Sequence, residues 1–432
     1  MGGSIASQNP MNFPLSIKKP DRDILRRLAW DIAEAARRPE MKKRAELWTL
    51  HNDLKTNYPI ILLEPDTGWP ELLPRCQTQG ALARQWEYKL RQELYWANNI
   101  KDDHVTDMYF DIPHCYTNTG WGVKPERIGG EDGGAFKIKQ VLEDYERDFE
   151  KVHFPKLEID FGRSEEALEI GKEVFGDILK VRQFTSWWWT LGMTWDYIDL
   201  RGLEDFLCDF LDEPEWVHRM MNLLCEGHLR EIESLEKQGL LSSNVGNEYI
   251  GSGGYGYTDE LPCYGANDQN NRYNSGHNTK TIDIWGFVES QETVLTSPEV
   301  YGEFIFPYHA QIAERFGLNC FACCEPYEAR FIYACKLPRL RRVSCSPWSD
   351  RSRTEELLSN RYVASHKLNP SLLALPDMNE DLVREEIRLA LEHSLNCVPE
   401  LVMKDISTFG KNPKNASRWV EIAREEVRRI HG

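Results

Sequence analysis

From about position 105 onward, short apolar or β-branched runs that end in polar residues alternate with helical stretches, and this alternation restricts the fold more than any other feature. Eight such runs follow one another: "DMYFDI", "KVRQF", "SNVGNE", "DIWGFVE", "NCFACCE", "RRVSCS", "YVASHK" and "LVMKDI". The helices between them carry start signals: Asp212 with Pro214 before a long 3.6-period run, Ser297 with Pro298 before "EVYGEFIF", and Asn379 before "EDLVREEIRLALEHSL". Eight strand–crossover units over roughly 300 residues predict an α/β fold, a (β/α)8 TIM barrel spanning 105–432, with an open doubly wound sheet as the alternative. Residues 1–104 read as a mainly helical N-terminal cap, from "DRDILRRLAWDIAEAARR" to "ALARQWEYKLRQELYWANN", with "YPIILLEP" as one extra strand inside it.

Charge and composition narrow the partners. Acidic residues outnumber basic ones by 69 to 52, a net charge of −17, and no Lys/Arg block interleaved with aromatics occurs, which argues against nucleic acid. No run approaches the roughly 18 to 20 apolar residues of a membrane helix. The opening "MGGSIASQNP" lacks an apolar signal core, and Ala6 stands where a myristoylation site needs Ser or Thr, so a cytoplasmic location is expected. Eleven cysteines, an odd number, are expected to be reduced thiols.

In a barrel, chemistry sits where strands end, which makes Glu248, Glu289, Cys323, Cys324, Glu325, Ser346, His366, Lys367, Lys404 and Asp405 the candidates. Thiolate and carboxylate are zinc donors, so Cys323, Cys324 and Glu325 are candidate metal ligands, with a further donor to come from Glu289, His366 or Asp405. Buried thiols with a glutamate paired to an arginine fit the same stretch. Strand alternation puts Cys323 and Glu325 on one face, whereas a break at Cys324 sends Cys324 and Glu325 together to the mouth.

The remaining candidates surround that stretch. Glu289 ends an otherwise apolar strand and suits a ligand or a proton acceptor, with Gln291 beside it on the substrate side. Lys404 and Asp405 are an ion pair or a catalytic acid and anchor. "SWWWTLGMTW" offers Trp187, Trp188, Trp189 and Trp195 as an aromatic wall for a flat or cationic ligand, or as a plug against the cap. "GSGGYG", Gly251 to Gly256, matches GxGxxG but opens into a Pro- and Asn-rich loop where a dinucleotide site needs a helix, so it reads as a flap carrying Tyr255 over the site. His366 joins the substrate side, and His309 is structural.

The stretches "WGFVESQETVLTSPEVYGEFIFPY", "RFGLNCFACCEP", "LPRLRRVSCSPWSD", "YVASHKLNP" and "ELVMKDIST" resemble, in order and spacing, the uroporphyrinogen decarboxylase superfamily, and most closely its corrinoid-dependent methyltransferase-like branch from anaerobes. The resemblance covers roughly residues 105 to 430 and implies a (β/α)8 barrel. The "MRQAGR"-type arginine signature of true porphyrinogen decarboxylases is absent. Methyltransferases of this superfamily hold zinc with a His-x-Cys pair and a later Cys; here Ala322 precedes Cys324 at the His position, and the last strand offers Lys404 and Asp405. What the resemblance implies is a zinc-dependent methyltransferase moving a methyl group between a small methylated substrate, such as an aryl methyl ether, and a corrinoid carried by a separate protein, since no Asp-x-His-x-x-Gly stretch occurs. A homodimer is common in the superfamily. The alternatives are a cofactor-free lyase with Arg182 and Arg272 as carboxylate clamps, and a non-catalytic component of a methyltransferase complex.

Overall fold

The computed structural model describes residues 11–129, 136–262 and 279–432. Strand β1 is Ile60–Leu63, β2 Tyr109–Ile112, β3 Cys115–Asn118, β4 Glu126–Gly129, β5 Phe136–Lys139, β6 Leu157–Asp160 and β7 Lys180–Gln183. They are followed by β8 Trp285–Val288, β9 Leu318–Phe321, β10 Leu340–Cys345, β11 Val363–Leu368 and β12 Val398–Met403. Six form one parallel sheet in the order β1-β12-β11-β10-β9-β8, while β2 and β7 form a separate parallel pair. Two antiparallel pairs, β3 with β6 and β4 with β5, lie outside.

From β8 to β12 consecutive strands are neighbours and the order never reverses, and β1 joins beside β12; a run in one direction with the first strand beside the last is the order of a barrel and not of a doubly wound sheet. A complete hydrogen-bonded ring is not formed by the described strands. Side chains satisfy the two sheet edges instead. On β1, the Ile61 and Leu63 N–H groups donate to Asp103 and Asp102 carboxylates, each at 2.8 Å. On β8, Asn244 bonds both the N–H and the carbonyl of Trp285 at 2.9 Å, and Leu191 N–H donates to Phe287 at 3.0 Å. Each edge thereby avoids the cost of an unpaired strand.

Seven of the eight anticipated runs contain a strand; "SNVGNE" contains none, because Asn244 reaches the sheet through its side chain. The segment assigned to the cap is not separate from the sheet. "YPIILLEP" is β1, paired in parallel with β12 from Ile60↔Glu400 to Leu63↔Met403. Around it lie helices α1 Lys19–Ala36, α2 Pro39–Asn52 and α3 Ala81–Tyr95.

Alternation sorts the sheet into two faces. Ile61, Leu63, Leu401 and Met403 pack outward in one core with helices α5 Glu380–Glu392 and α6 Lys414–His431, while α4, Pro214–Lys237, covers the β8 side. Ile60, Leu62 and Val402 face inward with Trp48 and Tyr255. The inner face also carries charge. Glu400 is sealed between Arg342 and Ser365, Lys367 donates to Ser365, and His51 Nε2 lies 3.4 Å from Glu400. The Gly251 to Gly256 stretch is no flap: it is buried in this interior, with φ of +59° at Gly251, +112° at Gly253 and +108° at Gly254. Only glycine fits there, since a Cβ on Gly253 would stand 2.9 Å from Val402 Cγ1 and one on Gly254 would collide with the Arg342 guanidinium.

Among the described residues no helix is long and apolar enough to cross a membrane, and all ten cysteines are free.

Candidate functional site at the sheet mouth

The C-terminal ends of β9, β12 and β1 converge on one cluster. After β9, Ala322 adopts φ +68°, so the chain leaves the strand two residues before the break at Cys324 that one alternation scheme assumed, and the other scheme assumed no break at all. The turn brings Cys323 Sγ and Cys324 Sγ to 3.5 Å, with Cys323 buried and Cys324 exposed. Ser252 Oγ donates to Cys323 Sγ at 3.2 Å. After β12, Asp405 also has positive φ, +59°, and its N–H donates to Asp66 Oδ2 at 2.5 Å. Lys404 Nζ donates to both Asp405 oxygens at 2.7 Å, and Cys324 Sγ lies 3.8 Å from Asp405 Oδ2.

Electrostatics separates the two thiols. Cys324 is held below its ordinary value, first by the hydrogen bond with Cys323 and then by the Lys404 ammonium, against the effect of burial. Cys323 is pushed well up by the same contact and by burial. One thiolate shared by the pair therefore resides on the exposed sulfur. Glu64, at the end of β1, is pushed up to about 8 by burial and by Asp66, against the pull of Lys404 and Lys367.

Glu325 does not reach the mouth. It is 1 % exposed, and its two oxygens accept the N–H of Ser290 at 2.8 Å and of Cys323 at 2.7 Å, so it holds the turn together. Glu289 is fully buried; one oxygen accepts Gln291 N–H at 3.1 Å, the other has no partner, and burial followed by Glu292 and Glu325 pushes it well up. Gln291 is half-buried on the turn after it.

His366 lies on the opposite face of β11 from Ser365 and Lys367, 1 % exposed, with neither ring nitrogen hydrogen-bonded; burial lowers it to about 3. It is a neutral helix-facing side chain, removed from the mouth by strand alternation. Tyr255 is also elsewhere, its hydroxyl 2.5 Å from His104 Nδ1. The tryptophans divide. Trp187 is buried and donates to the Leu240 carbonyl at 2.9 Å, Trp188 and Trp189 are half-buried, and all three line a cavity of about 120 Å³ with Tyr249. Tyr249, in that wall, and Ser252, which bonds Cys323, lie three positions apart in one segment, but neither thiol nor Lys404 is part of the cavity lining.

The zinc expectation can be tested on these donors. Glu325 is spent on backbone N–H groups, Glu289 and His366 are buried away from the sulfurs, and Asp405 is claimed by Lys404. Among the described residues no group of three or more His, Cys, Asp or Glu is placed to hold a metal ion. The set does not fit zinc, and the cation beside the thiols is Lys404. Of the two arginines of the lyase alternative, Arg182 is bound between Asp111 and Glu248, and Arg272 lies outside the described residues.

Glu64, Asp66 and Tyr249 are site residues that sequence reasoning missed. The signal was present, since "IILLEPD" ends an apolar run in acidic residues as the other strands do.

No family model matches the chain, and no curated protein does. Among solved structures, a methyltransferase from Methanosarcina mazei is similar at 11% identity and a TM-score of 0.42, over 75% of this chain and 81% of that one. A superposition this loose assigns neither family nor activity.

Proposed function

We propose that this chain is a methyltransferase that uses Cys324 as the nucleophile toward a small methylated donor, with the Lys404 ammonium stabilising the leaving group. The observation that carries the reading is the exposed, acidified Cys324 thiol set against a buried thiol partner and a lysine ammonium. The thiolate attacks the methyl carbon in line, forming an S–C bond as the bond from carbon to the leaving heteroatom breaks. The electron pair departs with that heteroatom, whose developing negative charge the Lys404 ammonium, positioned by Asp405 and held protonated against burial by the thiols and that carboxylate, stabilises while the proton comes from solvent. Trp188, Trp189 and Tyr249 wall a separate cavity whose aromatic faces suit an aryl methyl ether, and the segment from Tyr249 to Ser252 leads from it toward Cys323. The acceptor that the sequence resemblance implies is a corrinoid on a partner protein, whose reduced cobalt supplies the second nucleophile. Each transfer is a displacement at carbon, and Cys324 is regenerated by the second.

The test is peptide mass spectrometry of wild type and Cys324→Ser after incubation with a panel of aryl methyl ethers, alongside elemental analysis. S-methylation confined to Cys324 is expected, with Lys404→Met slowing it. Roughly one zinc per chain, lost in Cys324→Ala, would replace this reading with a metal-activated site. A metal-free, folded protein that is never methylated would leave the non-catalytic component.

A further inference from the structure

A second cavity, of about 310 Å³, opens among α3, β2 and β7, on the side where β1 and β2 share no ladder. Four carboxylates line it, Glu93, Asp107, Asp111 and Glu248, against two fixed cations, Lys89 and Arg182. Most of this charge is already engaged. Asp111 and Glu248 both hold Arg182, Glu93 Oε1 lies 2.8 Å from His104 Nε2, and Lys89 Nζ is 5.3 Å above the Phe110 ring. Asp107 differs: the hydrogen bond it makes is with the N–H of Tyr109, at 2.8 Å, and the nearest opposing charge, Arg182, is bound elsewhere. Burial pushes Asp107 up to about 6 and Glu248 up to about 8, and a cation brought beside either would favour its ionised form.

The walls are aromatic. Trp96 stacks on His104 at 4.1 Å and 8°, and the Tyr255 hydroxyl closes on the other nitrogen of the same imidazole. Tyr109 already accepts the Arg182 guanidinium at 4.4 Å from its ring centroid. Electron-rich faces beside an uncompensated carboxylate are what a desolvated cation needs. An anion is disfavoured because the one guanidinium is held by two carboxylates, and a metal ion because no cluster of three or more His, Cys, Asp or Glu is placed to bind one among the described residues.

We propose that this cavity is a binding site for a small organic cation, an amine or quaternary ammonium, with its charge set against Asp107 and its methyl or methylene groups on the Trp96, Tyr109 and Tyr255 walls. The assignment does not rest on the chemistry at the Cys323–Cys324 mouth, although Glu248 and Tyr249 line both this cavity and the one walled by Trp188 and Trp189.

Isothermal titration of the full chain with choline and with its uncharged isostere 3,3-dimethylbutan-1-ol tests it. Choline is expected to bind at least about tenfold more tightly than the isostere. Asp107→Asn, shown to be folded by circular dichroism, should weaken choline by about tenfold. Cys324→Ala should leave choline binding unchanged, which separates this site from the mouth. Equal affinity for the two probes on wild type would make the cavity merely apolar and overturn the proposal without any variant. No binding of choline or tetramethylammonium at millimolar concentration would also overturn it, as would a folded Asp107→Asn with unaltered affinity.

Discussion

Two charged centres, one on β12 and one just past its end with three residues between them, are built on opposite terms. Glu400, inside the sheet, is fully buried and closed on by Arg342, Ser365 and His51. Lys404 and Asp405, just past the strand end, share an ion pair whose acid is exposed and which faces a free thiol. The interior charges are packed against the glycine stretch from Gly251 to Gly256, whose Gly253 carbonyl accepts a hydrogen bond from Arg342. The mouth charges have partners on one side only. Sealed charge specifies how the sheet closes, and charge left partly open is available for chemistry.

The largest effect should come from breaking the sealed centre. Glu400→Gln leaves Arg342 and Lys367 buried without their counter-charge and should cost about 3 to 5 kcal/mol in thermal or denaturant unfolding. The Arg342 guanidinium, acting with His51 and Lys367, holds Glu400 well below the usual carboxylate range despite its burial. Its folded value is depressed, so its contribution is present above the ordinary value of about 4.3 and is lost as pH falls further. The gap between wild type and Glu400→Gln should therefore narrow in acid. A gap that is small at neutral pH would mean that the interior is hydrated, and would erase the contrast with the mouth.

A titratable cation sharpens the same contrast. His228 is 2 % exposed, with Nε2 at 3.0 Å from Asp196 Oδ2 and Nδ1 at 3.8 Å from Glu231 Oε2. Burial lowers its affinity for a proton, but the two carboxylates outweigh burial and raise it to about 9. The folded value exceeds the ordinary one of about 6.5, so its stabilisation is full below that pH and is lost as pH rises through about 9. His228→Gln should cost about 2 kcal/mol at pH 6 and much less at pH 10. Equal losses at both would show that the imidazole matters here by packing against Trp121, not by charge.

What could be read from the residues divides along the same line. Strand runs with capped helices after them were legible because period and caps are local, and seven of the eight hold strands. The placement of β1 was not, since a four-residue apolar run says nothing about pairing with a strand more than three hundred positions away. The meeting of Cys323, Cys324, Lys404 and Asp405 followed from strand-end logic, yet the role of Glu325 did not. It hangs on a left-handed Ala322, a conformation that an alanine in an apolar run does not announce. His366 failed for a simpler reason: alternation decides its face, and register was needed to know which face that was.

The smallest effect belongs to the open centre and should leave stability almost untouched. Cys324→Ala removes an exposed side chain and is expected to shift unfolding by less than about 0.5 kcal/mol. Its signature is reactivity. The pH midpoint of Cys324 alkylation by iodoacetamide should lie below that of the exposed Cys208 and Cys335, which serve as internal references. Cys323→Ala should raise that midpoint most, because the hydrogen bond between the thiols is the larger influence, and Lys404→Met should raise it less. Each tenfold change in thiolate population at a given pH corresponds to about 1.4 kcal/mol, far smaller than the loss expected at Glu400. If Lys404→Met moved the midpoint more than Cys323→Ala, the ammonium and not the paired sulfur would be the principal activator of Cys324. If neither moved it, the exposed thiol would be an ordinary surface cysteine, and the mouth would be as inert as the interior.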